Sequence, residues 1–232
     1  VPSIISFLVS GLYNIVDQIF IGQGVGMLGN EATNIAFPIS IMCTAMALLL
    51  GIGSAANFNL SLGAGDKEKA GHIVGTGIIA MIIGGFSLAV IVMLFLKPLM
   101  HAFGATADAL PFALTYTKIT AFGIPLVIFS TAASQLIRAD GSPTFSMICQ
   151  MSGAILNTIL DPIFIFGLDM NMAGAALATV LGQLLSALLA IYYLTMRFRT
   201  VSLNADYMRP RLPYLKAIVS LGAAPCFNQL AM

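Results

Sequence analysis

Charge is what this sequence has least of. Lys, Arg, Asp and Glu make up 8% of its 232 residues, whereas a soluble domain carries roughly a quarter. With 59% hydrophobic residues and a mean hydropathy of +0.97, no soluble core could use the apolar surface available. A basic face is missing too. The net charge is +1 and the ten Lys and Arg are scattered, so nucleic acid is not expected as a partner, because phosphate binding needs clustered cations. Cysteine is scarce: Cys43, Cys149 and Cys226 lie in apolar runs without paired or metal-ligand spacing. They read as small packing residues and leave the redox compartment undefined. His72 and His101 stand alone at loop edges, without companion ligands. The first apolar segment has no basic stretch before it and is followed by others, so a cleaved signal peptide is not expected. The start at Val1 rather than Met leads to the expectation of further residues upstream.

What the chain does have is long apolar runs. A helix needs about 20 apolar residues to cross a hydrocarbon core, and six such runs fit, near 1–21, 35–62, 73–96, 110–137, 144–168 and 174–196. Barrel strands need only about 10 alternating residues, while these runs are long and apolar on every side, so helices are expected. Gly22, Gly24, Gly26 and Gly29 suggest a flexible exit from the first span. Asp66 suits a helix N-cap, Lys97-Pro98 closes the third span, and Arg138 to Pro143 is a turn signal. The sequence therefore predicts an all-α fold, a polytopic membrane helix bundle with six complete transmembrane helices and a partial seventh.

With Val1 starting inside, the inner loops hold Lys67, Lys69, Arg138, Arg197, Arg199, Arg209, Arg211 and Lys216, and the outer loops hold only Lys97. That eight-to-one excess predicts a cytoplasmic amino terminus and a cytoplasmic 197–216 segment. The organisation expected is a six-helix lobe over 1–196, a basic linker over 197–213 that anchors beside anionic lipid, and the start of a second lobe over 214–232. The last run stops at Met232 before it could cross, and Pro225-Cys226-Phe227 faintly echoes Pro2 to Phe7, as the opening of a second copy would.

Two motif matches carry little. Gly24-Val25-Gly26-Met27-Leu28-Gly29 has the spacing of a dinucleotide fingerprint, but it follows a span where a strand is required. Asn59-Leu60-Ser61 matches a glycosylation acceptor at an inner membrane face, where glycosylation does not occur. Small residues crowd the second and third spans, among them Gly51, Gly53, Gly75 and Gly77, as close helix packing in lipid requires.

The specific signal is acidic. Asp17 and Asp161 lie inside spans, where an ionisable group costs about 2.5–3.5 kcal/mol and survives by facing a partner, a cavity or an ion path. Asn157 shares a helix face with Asp161 at spacing four, Asn14 does so with Asp17 at spacing three, and Thr179 adds a hydroxyl. These oxygens suit Na⁺ or an exchangeable proton; the alternative is a structural hydrogen-bond network. Pro162 frees a backbone carbonyl one turn earlier, beside the acid, and Pro38 and Pro125 predict kinks in the second and fourth spans.

Asn14-Ile15-Val16-Asp17, Arg138-Ala139-Asp140-Gly141, Asn157-Thr158-Ile159-Leu160-Asp161-Pro162 and the Gly174 to Gln183 stretch, in that order, resemble the multidrug and toxic compound extrusion family. The resemblance implies one six-helix lobe of a twelve-helix transporter that exports organic cations or other drug-like small molecules in exchange for Na⁺ or H⁺, in a bacterial plasma membrane. It implies a cation site of Asp17, Asn157, Asp161 and Thr179, with the Ala175 carbonyl as a further ligand and Asn14 and Pro162 in support. It implies no organic cofactor, no enzymatic reaction, and a second lobe as partner. A lipid-linked precursor flippase shares the topology but holds basic residues in its cavity, where this chain has only Lys118 within a span. An intramembrane aspartyl enzyme would use Asp17 and Asp161 as a catalytic pair, without any supporting motif.

Overall fold

The computed structural model describes residues 2–200 and 206–231, with the side chains of residues 2–10, 12 and 13 left aside. Residues 201–205 of the linker lie outside the described residues. Everything regular among them is helical: α1 Pro2–Gly24, α2 Met27–Gly63, α3 Lys67–Leu94, α4 Leu96–Ala102, α5 Leu110–Ala139, α6 Pro143–Pro162, α7 Asn171–Tyr192 and α8 Leu212–Leu230. Wider π-helical turns continue α6 over Ile163–Gly167 and α7 over Tyr193–Arg197. Among the described residues, five helices, α2, α3, α5 and the extended α6 and α7, are long and apolar enough to cross a membrane. Phe86, Phe122 and Leu188 stand exposed on their outer faces, as lipid-facing side chains do.

Helix α5 is central, packing against α2, α3, α6 and α7, while α1 leans on α6. Bare backbone makes these crossings close. A Cβ on Gly51 would meet the Ala132 Cα at 2.7 Å, and one on Gly85 the Pro125 Cα at 2.8 Å. The small residues that the sequence offered for packing are used that way.

Two local expectations change. The glycine run after the first span is not a flexible exit: α1 continues through Gly24, and α2 begins at Met27. Gly26 alone takes a left-handed φ of 88°. Gly22 and Gly29 are there for contact, since a Cβ on Gly29 would lie 2.7 Å from Val25 Cβ and one on Gly22 would lie 2.8 Å from Asn30 Nδ2. Lys97-Pro98 does not close the third span: α3 ends at Leu94, and Pro98 sits in the first turn of α4, where its missing N–H is not needed. Helices α2 and α5 run unbroken through Pro38 and Pro125.

Other expectations are met. The Asp66 carboxylate accepts the Lys69 N–H at 2.9 Å and caps α3. Asp169 and Asn171 turn between α6 and α7 with φ of 54° and 50°, a conformation these two residue types tolerate.

The segment after α7 is stitched to this bundle. Asp140 accepts hydrogen bonds from the Tyr193 hydroxyl at 2.8 Å, from the Arg199 N–H at 3.1 Å and from the Thr200 N–H at 3.1 Å. Further along, the His72 ring lies edge-on to Tyr207 and stacks on Tyr214, at centroid distances of 4.9 and 5.9 Å. Helix α8 then lies along α2. Asn57 Nδ2 donates to the Ala217 carbonyl at 3.0 Å, and Gly53 and Gly222 leave room for the carbonyls of Ile218 and Leu49.

Candidate functional site

The site is assembled where α1, α6 and α7 converge. Gly153 of α6 and Gly182 of α7 face one another, and a Cβ on either would sit 2.6 Å from the other's carbonyl oxygen. That bare crossing brings the next turns together, Asn157 and Asp161 on α6 and Thr179 on α7. Asp17 enters from α1, which packs against α6.

Burial is nearly complete. Asp161 is 0% exposed, Asn157 3% and Asp17 8%. The Asn157 amide fits in two orientations. In one, Nδ2 donates to Asp161 Oδ1 and to Thr179 Oγ1, both at 3.4 Å. Turned over, Nδ2 donates to Asp161 Oδ2 at 3.2 Å and the amide oxygen accepts the Thr179 N–H at 3.2 Å. The second orientation satisfies both ends of the amide at shorter range, and hydrogen-bond networks are the proper guide to such assignments. Thr179 Oγ1 donates to the Ala175 carbonyl at 3.0 Å, so that carbonyl already holds one partner.

The Asp17 and Asp161 carboxyl groups are neighbours, close enough to interact directly. Asp17 Oδ1 is buried without a hydrogen-bond partner among the described residues. Among the described residues, no Lys, Arg or His lines the adjoining cavity of about 330 Å³, whose wall includes Asn14, Asp17, Gln18, Thr33, Thr120 and Thr179. Lys118 is exposed on α5 beside Lys97, away from this cavity. Two carboxylates about 4 Å apart repel by about 4 kcal/mol at an effective dielectric constant of 20. A single positive charge between them removes that cost. Two buried carboxyl groups beside an oxygen-lined cavity have the chemistry to accept one small cation or proton.

The sequence-predicted residues fall as follows. Asp17, Asn157, Asp161 and Thr179 come together; Ala175 lies one turn from Thr179; Asn14 lines the cavity one turn along α1 from Asp17. Pro162 ends α6, and the π-helical turn of Ile163–Gly167 follows it directly. Sequence reasoning missed Gln18 and Thr33, joined at 3.1 Å, as well as Thr120 and Gln183 on the cavity wall. Gln183 stands four residues after Thr179, a spacing that places it on the same helix face and could have found it.

Comparison with known proteins gives the class. The MatE family profile matches residues 2–163, and this chain belongs to the MatE family. It is an integral membrane protein of a family of transporters, not enzymes. Among curated relatives, the multidrug export protein MepA of Staphylococcus haemolyticus (strain JCSC1435) is 31% identical over 231 residues, which are 100% of this chain and 51% of the relative. MepA of Staphylococcus aureus (strain MSSA476) is 32% identical over 225 residues, 95% of this chain and 49% of the relative. The chain thus spans about half the length of the curated relatives it matches. A solved structure described as the outward-facing conformation of a multidrug resistance MATE family transporter superposes with a TM-score of 0.92 at 29% identity, covering 100% of this chain and 51% of that one. An inward-facing counterpart gives 0.89 at 28% identity, covering 95% and 50%.

Proposed function

We propose that this chain is the amino-terminal lobe of a multidrug efflux antiporter and that Asp17 and Asp161 hold its exchangeable cation, Na⁺ or H⁺. The observation that carries this reading is the pair of buried carboxyl groups in reach of one another, with no basic side chain on the cavity wall. Helices α1, α2, α3, α5, α6 and α7 are its six spans over 1–196, the segment 197–213 is the linker, and α8, which lies along α2, opens the second lobe. The excess of Lys and Arg in alternate loops puts the amino terminus and the linker on the cytoplasmic side of a bacterial plasma membrane.

A cation entering between the carboxyl groups neutralises the cavity wall and weakens its hold on a bound organic cation or other drug, which leaves. Exchange follows if cation and drug prefer different states of the transporter. The near-equal likeness of this lobe to outward- and inward-facing relatives, at TM-scores of 0.92 and 0.89, supports lobes that rock as units. A flippase for lipid-linked precursors is not favoured, because Lys118 points away from the cavity.

The test is transport by the full-length protein in proteoliposomes loaded with a fluorescent organic cation. An opposing Na⁺ or pH gradient accelerates its exit under this proposal. Exit at the same rate with and without either gradient refutes it.

A further inference from the structure

Past Asn157, toward the ends of α5, α6 and α7 that carry Arg138 and the linker, lies a second cavity of about 170 Å³. Its wall, mainly apolar, carries five polar side chains besides Asn157 and Thr179: Ser130 and Thr131 from α5, Gln150 from α6, Gln183 and Ser186 from α7. Hydroxyls and amides inside a membrane bundle are costly to desolvate without partners, and a purely packing role would be served better by Ala or Val. Ser130, whose hydroxyl donates to the Val127 carbonyl at 3.3 Å, and Ser186 are 5% and 7% exposed. Gln183 Oε1 is buried and has no hydrogen-bond partner among the described residues. The space exists because of the bare crossing of Gly153 and Gly182; a side chain on Gly153 would overlap the Ser186 hydroxyl.

The two cavities meet. Val127, Thr179 and Gln183 line both, whereas Asp17 lines only the first and Asn157 only the second. Asp161, buried between them, touches Asp17 on one side and the Asn157 amide on the other. Thr179, Gln183, Asn157 and Asp161 therefore place oxygens between the two cavities.

We propose that the second cavity is a hydrated branch through which a small monovalent cation passes between the acidic pair and the side of the membrane bearing the basic loops. This rests on the antiport reading above. Size and chemistry set what it passes. About 170 Å³ accommodates roughly five waters at about 30 Å³ each, but falls below the roughly 300 Å³ at which pockets for drug-sized ligands begin. Neutral amide and hydroxyl oxygens replace part of a cation's water shell without trapping it as carboxylates do. Gln183, at the junction, is the positioning residue that hands the ion from one set of oxygens to the other. The branch gives the cation an exit that the drug cannot follow.

The experiment uses the full-length protein with its native cysteines replaced and Ser130→Cys introduced, in inside-out membrane vesicles. Ag⁺, a small thiol-reactive cation, is added and compared with a bulky trimethylammonium thiol reagent. The expected result is reaction of Ser130→Cys with Ag⁺ at least tenfold faster than with the bulky reagent, while Arg209→Cys in the linker reacts with both. No reaction with Ag⁺, or equal reaction with both reagents, overturns the branch. In parallel, Thr131→Phe narrows the cavity from a half-buried position. It is expected to slow gradient-driven efflux at least tenfold while equilibrium binding of the fluorescent substrate stays as in the unmodified protein, and unchanged efflux counts against the proposal. If the unmodified protein shows no gradient-driven efflux, the antiport reading fails, and the Ag⁺ result still decides whether an ion-sized branch exists.

Discussion

Replacing Asp17 by Asn keeps the size of the side chain and one oxygen while removing one of two buried negative charges. At about 4 Å and an effective dielectric constant of 20, each carboxylate attracts a monovalent cation by about 4 kcal/mol. Losing one, with the amide oxygen recovering part of the attraction, weakens cation binding roughly a hundred- to a thousandfold at 1.4 kcal/mol per factor of ten. The effect on folding has the opposite sign. Asp17 and Asp161 are 8% and 0% exposed and face each other, so removing one charge relieves repulsion, and the amount of folded protein in the membrane should not fall. The assay measures gradient-driven efflux of a fluorescent organic cation from proteoliposomes, normalised to reconstituted protein, across a range of cation concentrations. Asp17→Asn should abolish the dependence on cation in the ordinary working range while leaving yield and unfolding temperature intact. Two results would refute the reasoning: efflux with unchanged cation dependence, or loss of folded protein, since the latter means that the acidic group is part of a structural network.

Two further outcomes concern the framework around the site. Asp140→Ala removes the acceptor shared by the Tyr193 hydroxyl and the N–H groups of Arg199 and Thr200. At on the order of 1 kcal/mol per lost hydrogen bond, the linker should be cut by added protease at least tenfold faster, and an unchanged cleavage rate would show that the linker is held elsewhere. Gly222→Val places a side chain on the Leu49 carbonyl, where α8 and α2 touch backbone to backbone. Overpacking of this kind costs about 1–3 kcal/mol and should lower the unfolding temperature of detergent-solubilised protein, whereas Ala224→Val, at an exposed position two residues on, should change it far less.

The helices were legible in the sequence because in lipid every backbone group must be satisfied within its own segment. Runs such as 110–137 and 144–168 therefore match α5 and the extended α6 almost residue for residue. Ends were less legible. The Gly22 to Gly29 run reads locally as flexible, and only the packing of Gly29 against Val25 and of Gly22 against Asn30 makes it a tight helical corner. Helix α4 was missed because seven residues containing a proline give no periodic signal. Within the site, Asn157 and Asp161 could be paired by spacing on one helix, and Asp17 stood out by the cost of its charge. Their convergence with Thr179 depends on Gly153 meeting Gly182, a tertiary contact that no spacing reveals. The cavity walls were least legible, since Gln18, Thr33, Thr120 and Gln183 are ordinary polar residues until four helices turn them inward. The docking of Tyr207 and Tyr214 on His72 was equally hidden, because a residue alone at a loop edge in the sequence is buried by a segment well over a hundred positions away.

The most direct measurement of the central claim is competition at equilibrium. A fluorescent organic cation is bound to the purified full-length protein, and Na⁺ or H⁺ is titrated against it, for the unmodified protein and for the double replacement Asp17→Asn with Asp161→Asn. The account predicts that the coupling cation displaces substrate from the unmodified protein and has no effect on its binding to the double variant. Identical displacement from both proteins would contradict it.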